Sequence, residues 1–146
     1  MLTHNELIES WKEDSKLDPA NLLDVMYRHP ILHSKYLEIL QDYKLNQRRL
    51  VLKLQKERQF MTRYYNGELT KEELDAAGLK QYLFKRPLKS EMETLIEADE
   101  SIQRIQEQIN YMDTLISSAE SIMRDIGNRY YLFRNLVEHT KYLAGG

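Results

Sequence analysis

Cysteine is absent from this chain of 146 residues, and glycine and proline are scarce, with five and three residues. The lack of cysteine excludes disulfides, thiolate metal sites and thiol catalysis, and it fits a reducing compartment. No run approaches the ~20 apolar residues that a membrane-spanning helix needs, and no signal peptide is visible. We therefore expect a soluble, intracellular protein with one domain.

Patterns of catalysis and metal binding are equally absent. The sequence has no glycine-rich phosphate loop, no Gly-x-Ser-x-Gly and no His-Glu-x-x-His motif. His29 and His33 are four residues apart, but Pro30 lies between them and no carboxylate stands at a familiar ligand spacing. No Glu-x-x-His pair is present either, which speaks against a di-iron helical bundle. We predict a protein that is not an enzyme and that needs no metal or cofactor.

The stretch from Tyr36 to Tyr65 is predicted to be one helix of about 30 residues, roughly 45 Å long. Nine positions in it alternate in steps of four and three, and seven of them are apolar or aromatic. This period is typical of a helix that buries one side against another helix. The nine positions are Tyr36, Leu40, Tyr43, Gln47, Leu50, Leu54, Glu57, Met61 and Tyr64.

A second line on the same helix is basic. Steps of three and four place four cations and one ring on one face, at Arg49, Lys53, Lys56, Phe60 and Arg63. The segment 44–63 holds seven Lys or Arg and one acid, whereas the formal net charge of the chain is only -2. Any binding of nucleic acid must therefore come from a local patch.

Capping motifs divide the start of the chain. Thr3 and Glu6 form a capping box that predicts a first short helix. The pair Asp18–Pro19 predicts the start of a second one, and the pair His29–Pro30 predicts its end. The long helix is then expected to begin near Pro30.

An irregular basic connector is predicted over residues 67–88, after a turn at Asn66–Gly67. Thr70 and Glu73 form another capping box, and Gly78 can close the resulting short helix in a left-handed conformation. The following segment is extended by pattern and holds two rings on one face and three cations without an acid. These residues are Lys80, Tyr82, Phe84, Lys85 and Arg86.

From Lys89 to about Leu143 the pattern is helical again, with apolar residues in unbroken steps of three and four. Gly127 is a candidate for a break or bend. The prediction is an all-α fold, with a small N-terminal helical subdomain over residues 1–29 and a long antiparallel hairpin or coiled coil over 30–143. The apolar positions are Leu95, Ala98, Ile102, Ile105, Ile109, Met112, Ile116, Ala119, Met123, Ile126, Tyr130, Phe133 and Val137.

The second long helix exceeds what the first can cover, so its last turns need another partner. The N-terminal helices are one candidate, and a second copy of the chain is the other. For self-association we predict a C-terminal oligomerisation surface formed by Ile126, Tyr130, Phe133, Leu136 and Val137.

Cations on a helical face neutralise phosphates, and interleaved rings can stack on unpaired bases. The predicted DNA-binding residues are Arg48, Arg49, Lys53, Lys56, Arg58, Arg63, Lys80, Lys85 and Arg86. An alternative is that the acidic start of the second long helix pairs with these cations. The chain would then be an oligomeric coiled-coil scaffold that binds only proteins. An RNA-binding helical protein is a third interpretation.

Four stretches resemble the UvsY family, the recombination mediators of T4-like bacteriophages, and the resemblance runs from about Asp14 to Gly146. They are His33-Ser34-Lys35-Tyr36-Leu37, Tyr64-Tyr65-Asn66-Gly67, Lys89-Ser90-Glu91-Met92-Glu93-Thr94-Leu95-Ile96-Glu97-Ala98-Asp99 and Ala144-Gly145. The resemblance implies a non-enzymatic, ring-forming hexamer or heptamer that binds single-stranded DNA in the host cell cytoplasm. It also implies contacts with the phage recombinase and the phage single-strand-binding protein, so that the recombinase is loaded onto covered DNA.

The resemblance assigns the DNA-binding region better than its individual residues. In the family, basic residues important for DNA lie just before the Tyr-Tyr-x-Gly turn, and this register places two of them at Gln59 and Met61. Here the charge lies at Lys56, Arg58 and Arg63 instead. The connector is also longer than in the family, so a role for its cations is predicted from local charge alone.

Overall fold

A computed structural model describes residues 1–145, and all regular structure in that range is helical. The two longest helices, α2 and α5, have 44 residues each. The helices are α1 (His4–Asp14), the 3₁₀ turn Pro19–Asn21, α2 (Leu22–Tyr65), α3 (Lys71–Ala77), α4 (Lys89–Ala98) and α5 (Glu100–Leu143). The all-α prediction is confirmed.

Contacts between residues divide the chain into two compact units. Unit 1 contains residues 1–46 and the chain from Met112 onward, and unit 2 contains Gln47–Tyr111. Each unit therefore holds a part of α2 and a part of α5. The division into residues 1–29 and 30–143 concerns other boundaries and stays a prediction.

In unit 2 the parts of α2 and α5 pack in opposite directions. Gln47 contacts the backbone carbonyl of Ile109, and ten residues further along α2, Glu57 contacts Ser101. This order confirms the predicted antiparallel pairing. Together with α4, the two helices form a core of Leu54, Met61, Ile96, Ile102, Ile105 and Ile109, with Leu50, Phe60, Tyr64, Tyr65 and Met92 packed against it.

Unit 1 buries α1 against both long helices. The Tyr36 hydroxyl donates to Asp14 Oδ2 at 2.9 Å and lies 3.2 Å from the Ser10 hydroxyl, and burial raises the pKa of Tyr36 to about 12. The Trp11 ring meets Tyr36 edge to face, at 5.4 Å between centroids. The capping box of Thr3 and Glu6 begins α1 as predicted.

The predicted helix end at His29–Pro30 is wrong, because α2 continues through Pro30. A proline inside a helix removes one amide donor and costs about 3 kcal/mol. Contacts on both sides of Pro30 offset this cost: the His29 ring meets Phe133 at 5.4 Å, and Tyr36 is fully buried. Pro30 itself is exposed, and the carbonyl that loses its helical partner is that of Met26, four residues earlier.

The predicted continuous helix from Lys89 is also wrong, because Asp99 separates α4 from α5. Asp99 is extended, with ψ 132°, and its side chain accepts a hydrogen bond from the Ser101 amide at 2.9 Å. An aspartate in this geometry caps the start of a new helix. Gly127 lies inside α5, so the helix does not end there.

Along α5 the buried positions depart from the predicted ones in three places. Leu115 and Ile122 are buried where Ile116 and Met123 were expected, and Arg129 is buried in place of Tyr130. Both choices follow steps of three and four, so either keeps the buried stripe on one side of the helix. The remaining buried positions are Ile102, Ile105, Ile109, Met112, Ala119, Ile126 and Phe133.

The connector has the predicted turns. Gly67 and Gly78 have φ 71° and 67°, a left-handed conformation that glycine adopts without strain. Thr70 and Glu73 form the capping box of α3. Residues 79–88 contain no helix or strand. Within residues 1–145 no helix is long and apolar enough to cross a membrane.

Candidate nucleic-acid interface

The exposed side of α2 in unit 2 carries the predicted basic line, which we call the basic face: Arg49, Lys53, Lys56, Phe60 and Arg63. Leu54 and Met61 anchor the opposite side of the helix in the core. This anchoring turns the four cations of the basic face towards solvent, whereas Phe60 is half-buried against the core. The face can therefore present a row of positive charges to an external anion.

Two of the predicted cations on α2 are paired with carboxylates. Arg58 is half-buried and forms an ion pair with Glu97 at 2.5 Å. Arg63 forms two parallel hydrogen bonds to Glu73, both of 2.8 Å. The alternative prediction, internal pairing with the acidic α4, thus describes Arg58.

The pair of Arg63 and Glu73 joins the end of α2 to α3. The hydrogen bonds from Arg63 and from the Thr70 amide hold the pKa of Glu73 below its usual range. Glu73 in turn raises the pKa of Arg63. Glu73 also forms the capping box of α3, so its carboxylate both caps this helix and binds Arg63 of α2.

Four other predicted cations of α2 have neither an ion pair nor a side-chain hydrogen bond within the described range: Arg48, Arg49, Lys53 and Lys56. All four are exposed. Glu57, the acid within residues 44–63, is half-buried and accepts a hydrogen bond from the Ser101 hydroxyl at 2.8 Å. The positive charge of the basic face is therefore largely uncompensated at Arg49, Lys53 and Lys56.

The aromatic side chains at the end of α2 form a cluster with the connector. Tyr82 lies between the rings of Tyr64, Tyr65 and Phe84, at centroid distances of 5.9, 5.1 and 5.5 Å. Burial raises the pKa of Tyr65. Tyr64 and Tyr65 also pack on the core of unit 2, so they serve the fold first, whereas Phe84 is 79% exposed.

The connector cations lie in the exposed segment after α3. Lys80 and Lys85 have no ion pair among the residues that the structure describes, and the Arg86 Nε donates to Asn66 Oδ1 at 3.0 Å. The Tyr64 hydroxyl donates to the Lys80 carbonyl at 2.8 Å. The structure thus brings the connector to the end of α2 inside unit 2.

The two positions at which the family register places basic residues, Gln59 and Met61, differ in burial. Gln59 is exposed, but Met61 is only 4% exposed and belongs to the core of unit 2. A cation at position 61 would lose its hydration on burial, which is costly without a partner. Burial therefore disfavours an unpaired cation at position 61 but not at the exposed position 59.

The predicted oligomerisation residues divide into two groups. Ile126 and Phe133 are buried inside unit 1, where Phe133 meets His29. Tyr130 is 66% exposed, and Leu136 and Val137 are half-buried. Val137 also lines an apolar cleft of about 230 Å³ with residues of the first turns of α2. The N-terminal half of α2 thus covers part of this helix.

Burial of Arg129 in unit 1 was missed by the sequence analysis. Its guanidinium donates to the Ser15 carbonyl at 2.8 Å and lies over the Trp11 ring, 5.1 Å from the centroid. Steps of three and four do not distinguish this arginine from its exposed neighbour Tyr130. Over residues 1–145, no group of three His, Asp or Glu side chains is arranged to hold a metal ion.

An all-α fold, a basic helix face and an aromatic turn define a helical protein equipped to bind a polyanion. The sequence model of the family described as recombination, repair and ssDNA-binding protein UvsY matches residues 10–146, so the chain belongs to the UvsY family. The comparison with curated protein sequences gives no match.

Solved structures of the recombination mediator protein UvsY of bacteriophage T4 are similar to this chain over nearly its whole length. The crystal form of lattice type II has 20% identity and a TM-score of 0.80, and covers 100% of both chains. Lattice type IV has 18% identity and a TM-score of 0.79, covering 97% of this chain and 98% of that one. At this identity the likeness establishes a shared fold.

Proposed function

We propose that this protein is a recombination mediator that binds single-stranded DNA through the basic face and helps to load a phage recombinase onto DNA covered by a single-strand-binding protein. Membership of the UvsY family supports a role in recombination and single-stranded DNA binding. The observation that carries the assignment of the site is the row of exposed cations without carboxylate partners at Arg49, Lys53 and Lys56.

The phosphate backbone is the chemical target of this site. Each phosphate that a cation neutralises releases condensed counterions, so affinity falls as salt rises. The ammonium groups of Lys53 and Lys56 need no fixed geometry for this contact, which suits a strand of any sequence. Arg48 flanks the face, and Arg58 and Arg63 become available when they leave Glu97 and Glu73.

Assembly into a ring of six or seven copies would repeat the basic face around one oligomer. A strand that has bound one copy meets the next at a high effective concentration, so modest single contacts add up to tight binding. The exposed Tyr130 and the half-buried Leu136 and Val137 are our candidates for the contact between copies. A mediator of this kind acts in the host cell cytoplasm on DNA that another protein already covers.

The test compares binding of a fluorescent single-stranded oligonucleotide with a duplex of equal length across a salt series. Replacing Arg49, Lys53 and Lys56 by Ala should weaken single-strand binding. The plot of log affinity against log salt should also become less steep by about 2, because each of the three lost phosphate contacts with a single strand contributes about 0.7 to the steepness.

The matched control removes three other positive charges, at Lys12, Lys16 and Arg28, which are paired with carboxylates in unit 1. Its slope should equal that of the wild type. Equal losses in the two triple variants would assign the binding to net charge rather than to the basic face. Weak binding of the wild type to both DNA forms at low salt would favour the alternative, a coiled-coil scaffold.

A further inference from the structure

The connector is irregular, yet it is fixed at three points to the end of α2. The hydroxyl of Tyr64 holds the Lys80 carbonyl at 2.8 Å, and Asn66 holds Arg86 at 3.0 Å. Between these two hydrogen bonds, Tyr82 packs against the Tyr64 ring. A segment held in this way keeps its remaining side chains in a defined position without secondary structure of its own.

Two of the exposed side chains between these contacts are apolar. Leu83 is 85% exposed and Phe84 is 79% exposed. The Phe84 ring touches Tyr82 at a tilt of 56°, which fixes its place but covers little of it. An exposed aromatic ring of this kind offers a face to another planar group.

A cleft of about 490 Å³ lies in the same region. Such a volume lies in the range of sites that take one small ligand or a part of a larger one. Its wall combines a ring, a cation and hydroxyl groups, from Tyr82, Lys85, Ser90 and Thr94. Its carboxylate, on Glu91, already accepts a hydrogen bond from the Leu88 amide at 3.0 Å as the cap of α4.

The positive charge of residues 79–88 indicates the kind of partner that this segment binds. Residues 79–88 contain Lys80, Lys85 and Arg86 and no acid. A chain that alternates planar apolar groups with negative charges complements this surface, and an unpaired nucleic acid strand has that chemistry. A duplex keeps its bases stacked inside and offers only its charges.

We propose that the connector is a base-stacking subsite for single-stranded DNA, in which one unpaired nucleobase lies against Phe84 beside the cleft and Lys85 neutralises the adjoining phosphate. The inference rests on the proposed function, because it adds one contact between the protein and the single strand that we propose it binds. It adds a preference for bases to the sequence-independent attraction of the basic face.

The experiment compares two single strands of equal length and equal charge, one with bases and one abasic, with the full-length protein. Phe84→Leu keeps an apolar side chain and removes the ring, whereas Phe84→Tyr keeps the ring. Leu83→Ala is the matched control, since Leu83 is equally exposed in the same segment. Photocrosslinking from 5-iododeoxyuridine in the strand then identifies the contacted residue independently of any variant.

A stacking role predicts that Phe84→Leu lowers affinity for the strand with bases by about fivefold or more, the lower end of the loss of one stacking ring. Affinity for the abasic strand should not change, Phe84→Tyr should bind as the wild type does, and the crosslink should map to residues 79–88. The subsite would be overturned if Phe84→Leu bound the base-containing strand as tightly as the wild type does and the crosslink mapped outside residues 79–88. Leu83 and Phe84 would then be candidates for contact with a protein partner. In that outcome the wild type still binds both strands, so the proposed function stands; binding to neither strand would refute both.

Discussion

The two units use their positive charges differently. In unit 1, six of the nine Lys and Arg side chains form ion pairs with carboxylates. In unit 2, eight of the twelve have neither an ion pair nor a side-chain hydrogen bond, within the described part of the chain. Exposed pairs contribute only about 0–1 kcal/mol each, so stability does not require this contrast. Most of the unpaired charges available to an external anion therefore lie in unit 2.

The units also differ in where apolar surface remains. In unit 1 it lies at the start of α2 and the end of α5, with Leu23, Tyr27, Ile31, Tyr130, Tyr131, Tyr142 and Leu143 all more than 60% exposed. In unit 2 the most exposed apolar residues are three side chains of the connector, Leu83, Phe84 and Leu88. Extended apolar patches on a surface usually mark contacts with other molecules. We therefore propose that copies of the chain contact each other through unit 1 and that DNA contacts unit 2.

The largest effect should come from two aromatic residues of α5 in unit 1. Phe133→Ala removes a ring that is 6% exposed and should lower the free energy of unfolding by about 3–5 kcal/mol. Tyr130→Glu changes a ring that is 66% exposed, so it should leave folding intact and release smaller species. Thermal unfolding and light scattering measure the two results. Full-size oligomers of the Tyr130 variant would remove unit 1 from the proposed contact between copies.

A smaller effect is expected from Glu97→Gln, which should strengthen DNA binding rather than weaken it. The change releases Arg58 from its ion pair, so single-strand affinity should rise a few-fold and the salt slope should steepen by about 0.7. Glu107→Gln is the control, because Glu107 lies on α5 in the same unit and forms no ion pair there. A gain of the same size in both variants would mean that general charge, and not the release of Arg58, is responsible.

The smallest effect concerns the pH dependence of unit 1. Burial, then the charge of Arg129 and that of His33, lower the pKa of His29 from 6.5. A histidine that is harder to protonate in the folded state contributes stability above its unfolded pKa and loses it as the pH falls. The melting temperature should therefore decrease below about pH 6.5, and less so in His29→Gln. A His29→Gln variant whose profile equals that of the wild type would contradict this account.

Local chemistry made several elements predictable from the sequence. The capping boxes at Thr3 and Thr70 and the glycine turns at Gly67 and Gly78 depend on residues three to five positions apart, and all four are confirmed. The buried side of α2 was also predicted, because Tyr36, Leu40, Tyr43, Leu54 and Met61 keep the period of four and three and are buried. These features need no knowledge of the rest of the fold.

The errors arose where distant contacts decide between two local possibilities. Pro30 favours a helix end locally, but contacts of His29 with α5 continue the helix. At Leu115 and Ile116 two apolar neighbours compete for one buried place, and spacing cannot choose between them. For the candidate site, spacing places Arg49, Lys53 and Lys56 on one face, and the structure exposes all three. The carboxylate partners of Arg58 and Arg63 depend on how α3 and α4 fold against α2.

The carboxylate on Arg63 has a consequence for how a strand leaves the protein. If Arg63 contacts the strand as we propose, a phosphate that replaces Glu73 would release cations from the DNA, while the freed carboxylate of Glu73 would attract cations in their place. On release, the carboxylate of Glu73 can take the place of the departing phosphate at once. Arg63 would thus act as an internal exchange point: it adds little to the salt dependence of binding and lowers the barrier to handing the strand to the next protein.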